Sequence, residues 1–251
     1  NGCGLQDASF VSTLANLYYL ELNDNQIHSI PVMDKLVNLQ YLYLDRNGCL
    51  INFPRLAALT NLINLSLHSD CLPDLSFATH MTQLQYLDVG GDWQYDQYRN
   101  TITDISPLTG KTNINWLSLS WDQATNVSVV AAFTNMTRLY LNGNPFQTLT
   151  FITNMPGLVE LAIGYSQVTN VALLAAHSPL QSLDISYIST TNLTVLSGLT
   201  NLQGLTAGGN HAGSASMLSN LTNLGSLSFE LNAAPDASPL AGMTNLWWLQ
   251  F

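Results

Sequence analysis

Leucine and other apolar residues recur along the chain at a fixed spacing. The segment at 17–25 has the form LxxLxLxxN, and the first apolar residue of each related segment falls at 17, 39, 62, 84, 114, 136, 158, 180, 202, 224 and 246. Successive segments are therefore 22 residues apart, except for one step of 23 and one of 30. A period held along the whole chain predicts a repeat protein in which each coil buries its apolar side chains against its neighbours.

Each repeat combines a strand pattern with a second apolar segment. Counting the first leucine as position 1, positions 4 and 6 are apolar and alternate with polar residues, which predicts a short strand buried on one face. Apolar residues return at positions 11, 14, 17 and 20, so the rest of the coil also points inward. Stacked coils would place their strands in a parallel sheet with a spacing of about 4.8 Å. The asparagine at position 9 is expected to cap the turn that follows the strand.

These units resemble 22-residue leucine-rich repeats. The phrase Leu-Thr-Asn-Leu occurs at 59–62, 199–202 and 221–224, and the segment at 102–108 is similar to the repeats of bacterial internalins. The resemblance implies an α/β fold, namely a right-handed, horseshoe-shaped solenoid with a concave parallel β-sheet and a convex side of 3₁₀ turns or short helices. We expect residues 1–251 to form a single leucine-rich-repeat domain of about eleven repeats, open at both ends, with an insertion at 90–99.

Tyrosine and tryptophan are concentrated on the strand positions that face solvent. Position 3 is aromatic in most early repeats, which predicts a ladder of rings along the concave face, whereas later repeats carry Glu160, Ser182, Gly204 and Ser226 there. Aromatic anchors among hydrogen-bonding groups are typical of recognition surfaces. The alternative is that cross-strand aromatic pairs only stabilise the sheet, by about 0.2–1 kcal/mol each. The candidate ligand-binding residues are Tyr19, Tyr41, Tyr43, Tyr86, Trp116, Trp121, Arg138 and Tyr140.

The step of 30 residues contains eight extra residues within 90–99. Insertions in repeat proteins commonly lie on a binding face, so we add Asp92, Trp93, Tyr95 and Tyr98 as candidate binding residues. The alternative is a tolerated surface loop. The nearby aspartates match no calcium-loop spacing, and we expect no metal site.

The charge composition and the motifs of the sequence argue against several classes of function. The chain has 6 Lys and Arg against 16 Asp and Glu, which argues against nucleic acid as a partner and against an anionic membrane surface. No apolar stretch is long enough to span a bilayer, so no membrane insertion is expected. No catalytic motif is present either, and we expect a protein that is not an enzyme and has no catalytic residues and no cofactors.

Three cysteines, Cys3, Cys49 and Cys71, match no metal-binding or disulfide-scaffold spacing. At most one pair can form a disulfide. The favoured interpretation is that they are small thiols buried in the core.

The low charge and the abundance of Thr, Ser and Asn resemble exported bacterial repeats, which implies a secreted or cell-surface location. The resulting hypothesis is a non-enzymatic recognition or adhesion module that binds a protein or a glycan through the concave face. The alternative is a structural protein that self-associates head to tail, because the last and first residues together read as one repeat. A third interpretation of those ends is an internal fragment of a longer array.

Overall fold

The computed structural model describes residues 2–92 and 96–251, which fall into two compact units, Asn1–Asn135 and Met136–Phe251. We call them the N-terminal unit and the C-terminal unit. Each is a stack of coils in which a three-residue strand is followed by a turn and a short 3₁₀ helix. The predicted solenoid of parallel strands and 3₁₀ turns is thus confirmed in both units, whereas the single-domain organisation of 1–251 stays a prediction.

Within residues 2–92 and 96–135 of the N-terminal unit, five strands are each paired in parallel with the next in chain order. They are β1 (Tyr19–Glu21), β2 (Tyr41–Tyr43), β3 (Asn64–Ser66), β4 (Tyr86–Asp88) and β5 (Trp116–Ser118). The 3₁₀ helices of this unit are Ser9–Thr13, Phe53–Ala58, Ser76–His80, Asp96–Tyr98, Ser106–Leu108 and Ser128–Ala132.

The C-terminal unit contains six strands with the same parallel, sequential pairing. They are β6 (Arg138–Tyr140), β7 (Glu160–Ala162), β8 (Ser182–Asp184), β9 (Gly204–Thr206), β10 (Ser226–Ser228) and β11 (Trp248–Gln250). Its 3₁₀ helices are Thr150–Asn154, Ala172–Ala176, Thr194–Gly198, Ser216–Leu218 and Ser238–Leu240.

In β1 to β10 the centre residue of the strand is buried in the core, whereas Leu249 at the centre of β11 is 51% exposed. The two neighbours of the centre residue form the side of the strand that we call the strand face. Leu42, Leu65 and Leu87 are fully buried and aligned in register on β2, β3 and β4. Because one coil cannot cover its own apolar side, the core is continuous from coil to coil within each unit.

The asparagine at position 9 caps the coils as expected. The side-chain amide of Asn47 donates to the carbonyls of Leu22 and Leu44 at 3.0 and 2.6 Å, and its oxygen accepts from the Ile27 amide at 3.2 Å. Asp70 and Asp122 replace this asparagine in two coils of the N-terminal unit. Each accepts one backbone amide, but its second oxygen is buried with no hydrogen-bond partner, and burial raises the pKa of both carboxyls well above the usual range.

A second asparagine row, at the residue directly before position 1 of a coil, was not expected from the sequence. Asn61, Asn201 and Asn223 each donate a side-chain N–H to a carbonyl of the preceding coil, at 2.8–2.9 Å. The recurring phrase Leu-Thr-Asn-Leu therefore has a structural reason, since its asparagine joins one coil to the next outside the core.

The prediction of buried thiols was wrong for all three cysteines. Cys49 and Cys71 form a disulfide with a Cα–Cα distance of 4.8 Å, and Cys3 is an exposed thiol rather than a buried one. The second repeat has one extra residue, so Cys49 lies at position 11 of its coil. Cys71 lies at position 10 of the next coil, and stacking of the two coils brings the cysteines together.

Candidate functional site

The first two strands of the N-terminal unit carry four tyrosines in mutual contact, which we call the N-terminal tyrosine cluster: Tyr18, Tyr19, Tyr41 and Tyr43. Ring centroids are 5.1 Å apart for Tyr18 and Tyr41, 6.1 Å for Tyr19 and Tyr41, and 5.5 Å for Tyr19 and Tyr43. Tyr18 and Tyr19 remain 52% and 49% exposed. Parallel register aligns Tyr19 with Tyr41, so the sequence column at position 3 becomes a real contact.

Two phenols of this cluster, those of Tyr18 and Tyr19, have pKa values raised above the ordinary range. The hydroxyl of Tyr19 donates to Glu21 at 2.6 Å, and this bond raises the pKa of Tyr19 to about 12. A hydrogen bond with Tyr41 likewise raises the pKa of Tyr18. At neutral pH the cluster therefore offers apolar rings with hydroxyls that both donate and accept hydrogen bonds.

The ladder of rings at position 3 is interrupted on β3. Asn64 occupies position 3 there and donates a side-chain N–H to the hydroxyl of Tyr43 at 3.2 Å. On the next two strands Tyr86 and Trp116 stack with centroids 4.1 Å apart and an interplanar angle of 19°. The N-terminal unit thus has two aromatic patches with a polar strand between them.

Charged groups at the strand ends are mostly paired. Arg46 donates from Nε to Asp24 at 2.7 Å, and this contact raises the pKa of the guanidinium and lowers that of the carboxyl. Asp45 is half-buried and accepts the His68 backbone amide at 3.0 Å, yet burial raises its pKa.

His68 lies between two carboxylates at the base of the insertion. Its Nδ1 is 3.4 Å from Asp88 and its Nε2 is 3.3 Å from Asp92. Burial alone would lower the pKa of His68, but the two carboxylates outweigh burial and raise the pKa to about 9. The imidazolium present at neutral pH therefore ties the first residues of the insertion to the strand face.

The insertion packs back on the second and third coils. The Asp92 amide donates to Ser69 Oγ at 3.1 Å, and Tyr98 accepts the Cys71 amide at 3.2 Å through its carbonyl. Tyr98 is 39% exposed. Trp93 and Tyr95, which the sequence also proposed for binding, lie outside the described residues.

Trp121 lies at position 8, just after β5. Its backbone has φ +64°, which turns the side chain out of the strand direction, and the guanidinium of Arg99 lies 5.7 Å from its ring centroid. This cation–π contact connects the last residues of the insertion to the fifth coil.

The two remaining candidates belong to the C-terminal unit. Arg138 donates to Glu160 at 2.7 Å, and Tyr140 donates to the same carboxylate. Burial would raise the pKa of Glu160, but these two hydrogen bonds lower it. Arg138 and Tyr140 are therefore joined to each other through Glu160 on β6 and β7.

The C-terminal unit also holds an aromatic pair outside the predicted set. Tyr165 and Tyr187, both at position 8 with positive φ, stack with centroids 4.6 Å apart. The ring of Tyr187 covers Gly209, where an added β-carbon would lie 2.4 Å from the ring. The signal for this pair was present in the sequence as two tyrosines followed by glycine in one repeat column.

Among the residues that the structure describes, no cluster of His, Cys, Asp or Glu could hold a metal ion. In the same residues, no helix has the length and apolar character needed to cross a bilayer.

These features are those of the leucine-rich-repeat fold. A leucine-rich-repeat family model matches residues 4–48, and the resemblance to internalins is confirmed by solved structures. An internalin, InlF, from Listeria monocytogenes is 24% identical with a TM-score of 0.77, covering 100% of this chain and 85% of its own. Internalin C2 from the same organism is 28% identical with a TM-score of 0.67, covering 80% of this chain and 84% of its own.

The fold is shared beyond bacteria. The plant peptide hormone receptor RGFR1, solved in complex with RGF2, is 19% identical with a TM-score of 0.70, covering 94% of this chain and 43% of its own. No curated protein is significantly similar in sequence. The chain is therefore internalin-like in its repeats and fold.

Proposed function

We propose that this chain is a non-enzymatic recognition module, exported by a bacterium, that binds a protein partner through the strand face of its N-terminal unit. The observation that carries the proposal is the N-terminal tyrosine cluster. Its four rings lie side by side on two adjacent strands, and two of them remain about half exposed. Large, rigid rings with a hydroxyl are the side chains that contribute most to protein interfaces.

Sheet stabilisation alone accounts poorly for this arrangement. Tyr18 lies at position 2, outside the column at position 3, and is the most exposed ring of the cluster at 52%. The C-terminal unit forms a parallel sheet of the same kind, although position 3 is occupied there by Ser182, Gly204 and Ser226. The aromatic column is therefore dispensable for the fold.

Protein is favoured over glycan as the partner of this face. The rings of Tyr18, Tyr19, Tyr41 and Tyr43 cover two strands, which suits a broad apolar contact with a polar rim. Within the same fold, the RGFR1 structure contains a bound peptide hormone. We include Tyr86, Trp116, Trp121 and Asp92 of the N-terminal unit in the proposed surface.

The test compares two aromatic variants on arrays of purified extracellular proteins and of glycans. The first replaces Tyr41, Tyr86 and Trp116 by Ala; the matched control replaces Tyr165 and Tyr187 by Ala in the C-terminal unit. We expect the first variant to weaken a protein hit by at least about 100-fold and the control by less than about threefold. Thermal melts verify that both variants fold.

Equal affinity of the first variant and the wild type would refute the proposed face, and hits confined to the glycan array would refute the protein partner. Head-to-tail self-association stays a prediction, and light scattering over a range of protein concentrations tests it. A mass that does not change with concentration contradicts self-association.

A further inference from the structure

A cavity of about 490 Å³ opens beside the turns that follow the first three strands. Its walls include Gln26, His28, Arg46, Gly48, Cys49 and Tyr98. The volume falls within the range of small-molecule sites in proteins. All of these residues belong to the N-terminal unit, and most of them lie in the turns that leave β1 and β2.

The disulfide and the insertion hold the apolar part of this cavity in place. The amide of Cys71 donates to the Tyr98 carbonyl at 3.2 Å, and the carbonyl of Gln97 lies 3.6 Å from the sulfur of Cys71. Gly48 has φ +81°, and a β-carbon added there would meet the Tyr98 ring at 3.9 Å. The Tyr98 ring therefore lies against the backbone of the turn and presents an apolar wall next to Cys49.

The polar groups of the cavity come from neighbouring coils. Gln26 accepts a hydrogen bond from Gln6 at 3.3 Å through its oxygen, which directs its N–H groups elsewhere. His28 is exposed on the same turn. Arg46 uses Nε and one terminal nitrogen on Asp24, at 2.7 and 3.5 Å. An amide, an imidazole and a paired guanidinium together supply hydrogen-bonding groups around an apolar wall.

The electrostatics disfavour a charged occupant. The positive charge of Arg46 is balanced by Asp24, and Asp45 and Asp92 also act on that guanidinium. An added carboxylate would be repelled by these three aspartates, whereas an added cation would lie against the Arg46 guanidinium, which itself lines the cavity. A neutral molecule that has an apolar face and many hydroxyls avoids both penalties.

We propose that this cavity binds one residue of a neutral saccharide, with the sugar ring against Tyr98 and its hydroxyls on Gln26, His28 and Arg46. The C–H face of a pyranose complements the electron-rich face of an aromatic ring, and each hydroxyl can both donate and accept a hydrogen bond. The site is separate from the protein-binding face proposed above and goes beyond it. It gives this module a second ligand class at a site built by the insertion.

The experiment is saturation-transfer NMR on the intact oxidised chain with cellobiose, lactose, maltose and N,N′-diacetylchitobiose as probes at millimolar concentration. We expect saturation transfer to at least one of these neutral disaccharides and none to glucuronate. Tyr98→Ala and Gln26→Ala should each reduce the transfer about fivefold or more, and Tyr98→Phe should retain it because the ring is kept.

The triple variant of Tyr41, Tyr86 and Trp116 serves as the control and should bind the same disaccharide as the wild type, so failure of the strand-face proposal is separable from failure of this one. The cavity proposal is overturned if none of the four disaccharides receives saturation. It is equally overturned if transfer survives both Tyr98→Ala and Gln26→Ala, or if glucuronate binds as well as the neutral sugars.

Discussion

The two units have the same scaffold and different surfaces. In both, parallel three-residue strands alternate with 3₁₀ turns around a leucine core. The N-terminal unit adds the tyrosine cluster, the Tyr86–Trp116 stack, the disulfide and the insertion. The C-terminal unit has small residues at position 3 of β8, β9 and β10 and places its aromatic pair at position 8 instead. The C-terminal unit forms its repeat core without these additional features. The features therefore indicate which part of the chain is specialised.

The disulfide should account for the largest stability difference between the units. Cys49 and Cys71 are 22 residues apart in sequence, and a closed loop of that size contributes about 3 kcal/mol to the free energy of unfolding. In Cys71→Ser we expect amide hydrogen exchange to accelerate in the second and third coils and around Tyr98. The C-terminal unit contains no cysteine and should exchange as in the wild type. Unchanged exchange near Tyr98 would contradict the role assigned to the disulfide.

Gly209→Ala should disrupt the surface feature specific to the C-terminal unit. The new β-carbon would lie 2.4 Å from the Tyr187 ring at a residue with φ +69°, so we expect a loss of about 2 kcal/mol in unfolding free energy. Gly110→Ala is the matched control because φ is +79° there but no atom lies within 4 Å, and it should cost about 1 kcal/mol. When Tyr187→Ala is also present, the clash is absent, so Gly209→Ala should then cost about as much unfolding free energy as Gly110→Ala. Denaturant titration measures all three, and equal costs for the single variants would rule out the clash.

Aspartate and asparagine can be exchanged at position 9 in either unit by mutation. Asp70→Asn should raise the unfolding free energy at neutral pH by about 1–2 kcal/mol, because an amide can donate where the buried carboxyl oxygen has no partner. Asn210→Asp in the C-terminal unit should lower it by a similar amount, because Asn210 donates to the carbonyls of Ile185 and Ala207 at 2.8 and 3.0 Å.

The pH dependence of the unfolding free energy gives a further test of the Asp70→Asn substitution. Burial raises the folded-state pKa of Asp70 above its unfolded value, so the native state binds the extra proton. Wild-type stability should therefore fall as pH rises from about 4 through the folded-state pKa. Asp70→Asn should flatten this slope in denaturant titrations at several pH values, and an unaltered slope would show that Asp70 is ionised at no cost.

Replacing His68 should give the smallest change in unfolding free energy, about 1 kcal/mol after allowance for solvent screening. Its folded-state pKa of about 9 exceeds the unfolded value, so its contribution is complete below about pH 6.5 and is lost as pH rises through about 9. The stability difference between wild type and His68→Gln should disappear over that interval. Asp92→Asn removes one of the two carboxylates and should shift the interval to lower pH. A difference independent of pH would exclude the ion pairs as its source.

The candidate site was only partly predictable. The position-3 column was correct in register, because a strict repeat places equal positions side by side and Tyr19 does align with Tyr41. The break at Asn64 was visible in that column, whereas its hydrogen bond with Tyr43 and the involvement of Tyr18 depend on side-chain rotamers, which the repeat pattern does not specify. The cavity beside Tyr98 was missed because it depends on how the insertion folds back on earlier coils.

The sequence by itself determined the repeat length, the inward leucine columns, the parallel register and the strand face on which the aromatic residues lie. These are consequences of periodicity, since each coil must repeat its geometry to cover its neighbour. Only the tertiary structure decided the Cys49–Cys71 pairing, the ion pairs of His68, the unpaired oxygens of Asp70 and Asp122, and the Tyr187–Gly209 contact. Those features arise where the period is broken or where side chains from different coils meet, so they depend on distances across coils that no single repeat contains.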